Sequence, residues 1–177
     1  LQYDNNSIKI KKTYLRDETK KSNLFIDDEK SKTADLLNFL RVIWVTPVME
    51  KIMLQSNSER RNFFDRLIFN IEKKHLKAFT AYNKFTKERL HILKSDDPDS
   101  AWLEQIEKKI AVCAYKIIEY RQAAISKINT NLSLISLPFN SCIIELNYED
   151  TLKITSDMGE FTFDYENTLF KNRTIDK

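Results

Sequence analysis

Five lysines recur along one predicted helix between residues 72 and 94, and their ammonium groups suit a polyanionic partner. At 100° per residue they fall on the side opposite the broad side that carries the large apolar residues. Such a stripe would neutralise phosphates along a nucleic-acid backbone and release counterions, so that binding weakens with added salt. The alternative is an ordinary solvated helix face, since Glu88 interrupts the stripe. The lysine stripe consists of Lys73, Lys77, Lys84, Lys87 and Lys94.

A second charged group, Arg60, Arg61 and Asp65, lies at the start of the preceding predicted helix. Ser56 and Glu59 have the spacing of a capping box, which places both arginines in the first turn. Because the positive end of the helix dipole lies there, the guanidinium groups need an anion or a carboxylate nearby. One interpretation is an ion pair between Arg61 and Asp65, four residues apart, with Glu50 or Glu59 as the acid for Arg60. The other is that one arginine binds a phosphate of DNA or of a nucleotide.

Other residue types form no catalytic or metal-binding pattern. The single glycine, Gly159, excludes a G-x-x-x-x-G-K-[ST] or G-x-G-x-x-G phosphate loop from this chain. His75 and His91 have no cysteine at metal-ligand spacing and no triad partner nearby. Cys113 and Cys142 lie in apolar runs and are predicted to be small core residues. We therefore assign no catalytic, cofactor-binding or metal-binding residue to the chain itself.

Helical periodicity predicts three consecutive helices that position these charges. The first covers about 56–70, the second 72–94, and the third runs for about 35 residues to Pro138. Apolar residues of the third recur at steps of three and four, which makes an amphipathic rod of roughly 50 Å. Because such a rod needs a partner along its apolar stripe, we expect the second and third helices to form an antiparallel hairpin.

Two residues of the third helix have predicted roles in that hairpin. Trp102 is predicted to anchor the core at the tip. Arg121 borders the apolar stripe, so we expect it to pair with an acid such as Glu88 rather than with a ligand. No aromatic-interleaved basic surface is evident, which favours contact with a phosphate backbone over stacking on bases.

Shorter elements flank the helices, and the predicted fold class is α+β, mainly α. Its main feature is a long antiparallel helical hairpin, the arm, attached to part of a β-sheet. The predicted divisions are strands and short helices in 1–55, the helical arm in 56–137, and return strands with a terminal helix in 138–177. The shorter elements are strand-like pieces at 8–10 and 24–26, a helix at 33–40, a buried strand at 41–45, strands at 142–148 and 152–154, a turn at 157–159 and a helix from about Phe161 to the end.

Composition fits an ordinary folded domain. The 177 residues are 31% charged with a net charge of +3, which is compatible with a nucleic-acid partner without identifying one. No apolar run approaches the roughly 20 residues of a membrane span, and no signal peptide is visible. We therefore expect a cytoplasmic protein without membrane contact.

The residues around the arginine pair, together with others along the next two helices, have the spacing of a known signature. They are Pro47, Ile52, Met53, Ser56, Arg60, Arg61, Phe63 and Asp65, followed by Tyr82, Asn83, Lys84, Arg89, Leu93, Lys94, Trp102 and Arg121. This pattern resembles that of the RecF family, bacterial DNA replication and repair proteins among the SMC-like ABC-type ATPases. The chain departs from it at Val48, Gln55 and Asn57, where the family usually has an acid, a glycine and a proline. The resemblance extends from about Asn23 to the end.

The resemblance implies that the strands belong to the sheet of an ATPase lobe. It also implies that the chain is an internal fragment, since the family carries its nucleotide loop near the N-terminus and its signature and Walker B segments near the C-terminus. The intact protein is expected to bind ATP and Mg²⁺, to form an ATP-dependent homodimer and to bind single-stranded DNA or gapped duplex. With RecO and RecR it would place RecA on single-stranded gaps in replication, recombinational repair and the SOS response. No ATPase activity is expected from this chain alone.

Two other classes of function stay open. The hairpin is also compatible with a helical protein-interaction module that makes no contact with DNA. An independent enzyme has the least support, because no catalytic pattern is present.

Overall fold

The computed structural model is mainly helical with two small antiparallel sheets, which confirms the predicted fold class. The chain divides into two compact units, residues 1–45 and residues 46–177. Among the residues that the structure describes, no helix has the length and apolar character needed to cross a membrane. The described residues are 2–3, 6–14, 22–32, 35–36, 39–40, 43, 46–134, 142–148 and 155–176.

The first unit contains two small antiparallel sheets. Strands β1 (Gln2–Tyr3) and β2 (Asn6–Ser7) pair with each other, and β3 (Ile10–Tyr14), β4 (Ser22–Ile26) and β5 (Glu29–Ser31) form a sheet in the order β3-β4-β5. Ile10 pairs with Ile26, so the predicted pieces at 8–10 and 24–26 lie at one end of a real hairpin. Leu24 and Ile26 point to the same side of β4 and are buried, as the two-residue period of a strand requires.

A tight turn at Asp27 and Asp28 joins β4 to β5. Both residues have positive φ, 50° and 68°, the left-handed conformation that a two-residue hairpin turn needs at its two central positions. Aspartate tolerates this region because its short side chain bonds locally. Here the Asp27 carboxylate accepts from the Lys9 backbone N–H at 2.9 Å, and Asp28 pairs with the Lys9 ammonium at 3.1 Å.

Two predicted elements of the first unit fall largely outside the described residues. Of the helix predicted at 33–40, Asp35 and Leu36 form a short 3₁₀ turn, and Leu40 N–H donates to the Leu36 carbonyl. Of the buried strand predicted at 41–45, only Ile43 is described; it is exposed and not in a strand.

The second unit begins with a 3₁₀ helix at Pro47–Leu54, followed by α1 (Asn57–Ile71) and α2 (Lys73–Leu93). The predicted capping box is present: Ser56 Oγ accepts from Glu59 N–H, and the Glu59 carboxylate accepts from Ser56 N–H. A single residue, Glu72, separates α1 from α2. Its backbone is extended and its carboxylate caps α2 by accepting from Lys74 N–H at 3.0 Å.

Helix α3 (Ser100–Leu134) has 35 residues, the predicted length. It packs along α2 in the antiparallel sense, because Arg89 near the end of α2 bonds Glu107 near the start of α3, while His75 at the start of α2 contacts Tyr120 two-thirds of the way along α3. The hairpin core includes Ile106, Ile110 and Ile117 of α3, all predicted members of its apolar stripe. The predicted antiparallel hairpin is therefore confirmed.

Helix α4 (Met158–Lys171) packs on α3, and a 3₁₀ turn (Asn172–Thr174) follows it. The helix begins earlier than the predicted Phe161, because the predicted turn at 157–159 contains its N-cap: Asp157 accepts from Glu160 N–H. Phe161 is buried against Ala114 and Ile118 of α3.

The sequence predicts a strand at 142–148, but these residues are described and form neither a strand nor a helix. Their burial still alternates, with Ile144, Leu146 and Tyr148 half-buried. The side-chain amide of Asn129 on α3 bonds both backbone groups of Ile144, at 3.0 and 2.9 Å. A side chain thus satisfies polar groups that a neighbouring strand would otherwise bond. The strand predicted at 152–154 lies outside the described residues.

Ile106→Ala tests the hairpin core. Ile106 is 1% exposed, so the substitution should lower the free energy of unfolding by about 2–5 kcal/mol, the cost of a buried cavity. Urea denaturation followed by circular dichroism measures this change. Ile175→Ala is the matched control, because Ile175 is 80% exposed and its loss should have little effect. Equal effects of the two substitutions would contradict the burial of Ile106.

Candidate nucleic-acid interface

The lysine stripe lies on the outer side of the hairpin. Lys77, Lys84 and Lys87 are exposed on α2, Lys94 is the exposed C-cap residue, and Lys73 is half-buried in the first turn. The buried residues of α2 are on the opposite side and include Ala78 and Leu93. The helix therefore separates a basic outer surface from an apolar inner one.

Three of these lysines are not neutralised by acids of the described chain. Lys77, Lys84 and Lys87 take part in no ion pair among the residues that the structure describes, and Glu88, four residues after Lys84, does not reach it. Helix α2 contains five lysines and one glutamate. The outer surface therefore carries positive charge that is available to an external anion.

Arg60 has a structural role at the start of α1. Its Nη1 donates to the carbonyl of Met53 at 3.0 Å, and its Nη2 donates to the side-chain carbonyl of Asn57. These bonds connect the end of the 3₁₀ helix to the first turn of α1. Glu59 is not its partner, because that carboxylate bonds Ser56. Both arginines are exposed, but only Arg61 has no side-chain hydrogen bond or ion pair among the described residues.

The predicted ion pair between Arg61 and Asp65 is wrong. Asp65 is 1% exposed, and its carboxylate faces α2 and α3 instead of the outer side of α1. Arg121 of α3 donates to both carboxylate oxygens, from Nε at 2.8 Å and from Nη2 at 2.7 Å. The acid predicted for Arg121 was Glu88, so that pairing is also corrected.

His75 completes a buried charged cluster that we call the Asp65 cluster, made of Asp65, His75 and Arg121. His75 Nε2 donates at 3.0 Å to Asp65 Oδ1, the oxygen that also accepts from Arg121 Nε. The centroid of the His75 ring lies 5.2 Å from that of Phe69 and 6.1 Å from that of Tyr120. In the described residues its Nδ1 has no hydrogen-bond partner. The three members come from α1, α2 and α3, so the cluster connects all three helices.

The Asp65 carboxylate is ionised in this setting. Burial opposes its charge, but hydrogen bonds from His75 and Arg121 and the positive guanidinium outweigh that effect, so the pKa of Asp65 lies below its ordinary value of 3.8. Burial likewise disfavours the charge of Arg121, yet the bonds to Asp65 raise the pKa of the guanidinium. Each ion is held charged in the interior by the other.

A second buried network closes the other end of the hairpin. Glu107 of α3 accepts from Arg89 Nε at 2.8 Å and from Arg173 Nη2 at 2.6 Å. Arg89 also donates to the Asp176 carboxylate and to the carbonyl of Leu169, each at 2.7 Å. One guanidinium therefore joins α2 to α3, to α4 and to the residues after it.

Sequence reasoning missed both networks, although a signal was present. Glu107 follows Ile106 on the buried side of α3, and Asp65 lies three residues before Ile68 on α1. A charged residue among buried apolar neighbours indicates a buried partner. Spacing along one helix could not identify that partner, because it lies on another helix.

Trp102 is not the predicted core anchor. It is 47% exposed near the hairpin tip, and the Lys109 ammonium lies 5.9 Å from its ring centroid. Of the two cysteines predicted to be in the core, Cys113 is half-buried, but Cys142 is exposed. The tip therefore presents an indole to solvent beside a cation.

The described residues do not fit ATP or Mg²⁺. Gly159 lies in the first turn of α4, where the Asp157 carboxylate accepts from Glu160 N–H at 2.8 Å and takes the position of an anion at a helix N-terminus. A Cβ added to Gly159 would lie 3.1 Å from that carboxylate. Within the described ranges, no three His, Cys, Asp or Glu residues are grouped to hold a metal ion.

Several curated proteins similar to this chain are named RecF. The chain is 30% identical over 148 residues to the DNA replication and repair protein RecF of Rickettsia prowazekii, which covers 84% of this chain and 41% of that protein. It is 30% identical over 155 residues to the RecF protein of Rickettsia typhi, with the same coverage. The chain thus spans about two fifths of the length of these curated relatives. No family model matches it.

Two solved structures have the same fold. One is described as the recombination mediator protein RecF-ATPrS in the RecFOR pathway, with a TM-score of 0.81 and 21% identity, covering 98% of this chain and 48% of that one. The other, described as RecF-ATP in the same pathway, has a TM-score of 0.78 and 23% identity and covers 96% and 46%. At this identity the two structures establish the fold alone.

Arg121→Met tests the Asp65 cluster. The substitution leaves a buried carboxylate without its cation and should lower the free energy of unfolding by about 3–5 kcal/mol. Arg61→Met is the matched control: Arg61 lies on the same helix as Asp65 but is exposed, so a change of less than about 0.5 kcal/mol is expected. Urea denaturation of both variants measures the difference. A larger loss for Arg61→Met would restore the pairing that the sequence suggested.

The cluster also predicts how stability depends on pH. Because the pKa of Asp65 is lower in the folded state than its ordinary value, its ionised form stabilises the fold above that value, and the contribution is lost as pH falls through the folded pKa. Lowering the pH from about 6 to about 3 should decrease the free energy of unfolding, and Asp65→Asn should make this decrease shallower. Urea midpoints across the pH series measure it. Glu104→Gln, an exposed control, should leave the slope unchanged.

Proposed function

The chain belongs to the RecF family, and from this premise we propose that its helical hairpin contacts the phosphate backbone of DNA during replication and repair. The curated relatives are named for that process. The surface proposed to make the contact is the lysine stripe, with Lys77, Lys84 and Lys87 at its centre and Lys73 and Lys94 at its ends. Arg61 is a further candidate for a phosphate, because it is exposed at the start of α1.

The observation that carries this proposal is the positive charge of Lys77, Lys84 and Lys87, which take part in no ion pair among the residues that the structure describes. Lys77 and Lys87 are ten residues apart, about 15 Å along a helix. Duplex DNA carries one phosphate charge per about 1.7 Å of its axis, so a stripe of this length meets several phosphates. Lysine binds phosphate as a point charge without demanding a fixed orientation, and this suits contact that is independent of sequence.

The finer parts of the proposal concern the whole protein. We propose that it binds ATP with Mg²⁺ through residues other than those described, and forms a homodimer that depends on ATP. We also propose that it acts with RecO and RecR to place RecA on single-stranded gaps, contributes to the SOS response, and works in the cytoplasm. The solved proteins of the same fold, described as RecF with ATP in the RecFOR pathway, support the ATP and RecO and RecR elements.

A second candidate function is a helical protein-interaction module without DNA contact. The observation in its favour is on α4, where Phe163 and Phe170 are 66% and 58% exposed and lie seven residues apart on one side. An exposed pair of this kind suits the apolar core of a protein interface. The lysine stripe would then be only a solvated face.

Replacing Lys77, Lys84 and Lys87 together with Gln distinguishes the two candidates. The affinity of the chain for duplex and single-stranded oligonucleotides should fall, and the slope of log affinity against log salt should decrease by up to about one per lysine. Fluorescence anisotropy over a series of salt concentrations measures both quantities.

A control variant removes the same charge from lysines outside the stripe: Lys30, Lys32 and Lys171, all exposed. It should retain a steeper salt slope than the stripe variant. Equal slopes in the unaltered chain and the stripe variant would reject backbone contact by the stripe and favour the protein-interaction module.

A further inference from the structure

We infer that the flank of the hairpin near its tip is a stacking site for an unpaired base of single-stranded DNA. The site, which we call the tip surface, consists of Trp102 and Lys109 of α3 with Phe85 and Lys84 of α2. The inference rests on the proposed contact with DNA and adds to it the side chains that would hold an unpaired base.

Aromatic rings and ammonium groups alternate across the tip surface, which corrects the expectation from the sequence that no such surface is present. The Lys109 Nζ lies 5.9 Å from the Trp102 ring centroid and 5.5 Å from that of Phe85. The Lys84 Nζ lies 6.0 Å from the Phe85 ring centroid. The order Trp102, Lys109, Phe85, Lys84 therefore crosses from one helix of the hairpin to the other.

The exposure of Trp102 leaves part of its indole available to a ligand. Tryptophan is on average a highly buried residue, whereas Trp102 is 47% exposed. The Lys109 ammonium is exposed, and its distance from the Trp102 ring is at the outer limit of a cation–π contact, so the ammonium is available to a phosphate. An exposed ring beside cations is the combination by which single-stranded nucleic acids are bound without sequence preference.

Chemistry favours an unpaired strand over a duplex at this position. A nucleobase offers its π-face to an indole only when it is not already stacked between neighbours in a duplex. The lysines then neutralise the phosphates on either side of the stacked base. Lys84 belongs to both the lysine stripe and the tip surface, so one strand can follow α2 and place a base on Trp102.

Acidic residues limit the site to the flank of the hairpin. Asp96 and Asp97 are exposed in the loop between α2 and α3 and repel phosphates there. The Asp99 carboxylate accepts from Trp102 N–H at 3.0 Å, so this acid caps α3. Glu88 is half-buried beside the stripe. The strand is therefore directed along Lys84 and Lys109 and not around the loop.

Tryptophan fluorescence tests the stacking directly. The chain has two tryptophans, so Trp44→Phe leaves Trp102 as the single reporter. Adding oligothymidine of about 15 nucleotides, within the site size of single-strand binders, should quench its emission. The same length of duplex should quench it much less. Absence of quenching at saturating oligothymidine would overturn the inference.

Affinity measurements with Trp102 variants give the second readout. Trp102→Ala should weaken binding of oligothymidine about tenfold and leave duplex binding unchanged, because one stacked base is lost. Trp102→Phe should restore most of the affinity. Phe163→Ala is the matched control, since it removes an exposed ring from α4. Equal losses for single strand and duplex, or no loss for either, would reject the site, provided that circular dichroism shows each variant folded.

The outcomes also separate this inference from the proposed function. If the stripe variant loses salt dependence while Trp102→Ala keeps its affinity for oligothymidine, contact with the backbone stands and the stacking site is rejected. If Trp102→Ala is selective for single strands while a variant with Lys77→Gln and Lys87→Gln, which keeps Lys84 of the tip surface, retains its salt slope, the stacking site stands and the stripe is rejected. If the chain binds neither form of DNA, both are rejected.

Discussion

A buried carboxylate sets the arrangement of the three helices that make up most of the second unit. Asp65 is held ionised by two bonds from Arg121 and one from His75, and its partners come from the two other helices. Burying these groups is costly unless each finds its partner in good geometry. A shift of one helix relative to the others would leave a charge unpaired in the interior, so the cluster favours one packing of the hairpin against α1. The network around Glu107 imposes the same constraint at the opposite end.

This distribution of charge explains why the outer surface is basic. The described acids that lie inside, Asp65 and Glu107, are used by Arg121, Arg89 and Arg173. Lys77, Lys84 and Lys87 of α2 lie outside and form no ion pair with the acids that the structure describes. The same helix therefore contributes a guanidinium to the interior and a series of ammonium groups to solvent. Arginine suits the first role, because its planar fork bonds a carboxylate in two places, and lysine suits the second as a hydrated point charge.

Much of the fold follows from local rules that the sequence contains. The apolar period gave the lengths of α2 and α3 and their antiparallel packing, since an amphipathic rod of 35 residues must cover its stripe. The capping box at Ser56 and Glu59 located the start of α1. The predicted start of α4 at about Phe161 is too late, because Asp157 of the predicted turn is the N-cap of the helix. At 142–148 the burial does alternate with a period of two, as the sequence predicts. Such a period shows which side chains are buried, but it does not show that another strand lies alongside. Here the side chain of Asn129 bonds the backbone of Ile144.

The sequence by itself determined the helices, their hairpin and the side of α2 that carries the lysines, because these depend on neighbours within one or two turns. It also excluded a glycine-rich phosphate loop, since the chain has one glycine. Only the tertiary structure decided which charges are partners and which aromatic ring is exposed. Asp65 pairs with Arg121, 56 residues away, and not with Arg61 on its own helix. A buried carboxylate without a cation costs several kcal/mol, roughly 3–5, whereas an exposed ion pair adds little stability. Trp102 is exposed although Leu103, the next residue of α3, and Leu93 at the end of α2 are buried, because the indole lies on a different side of α3 from Leu103.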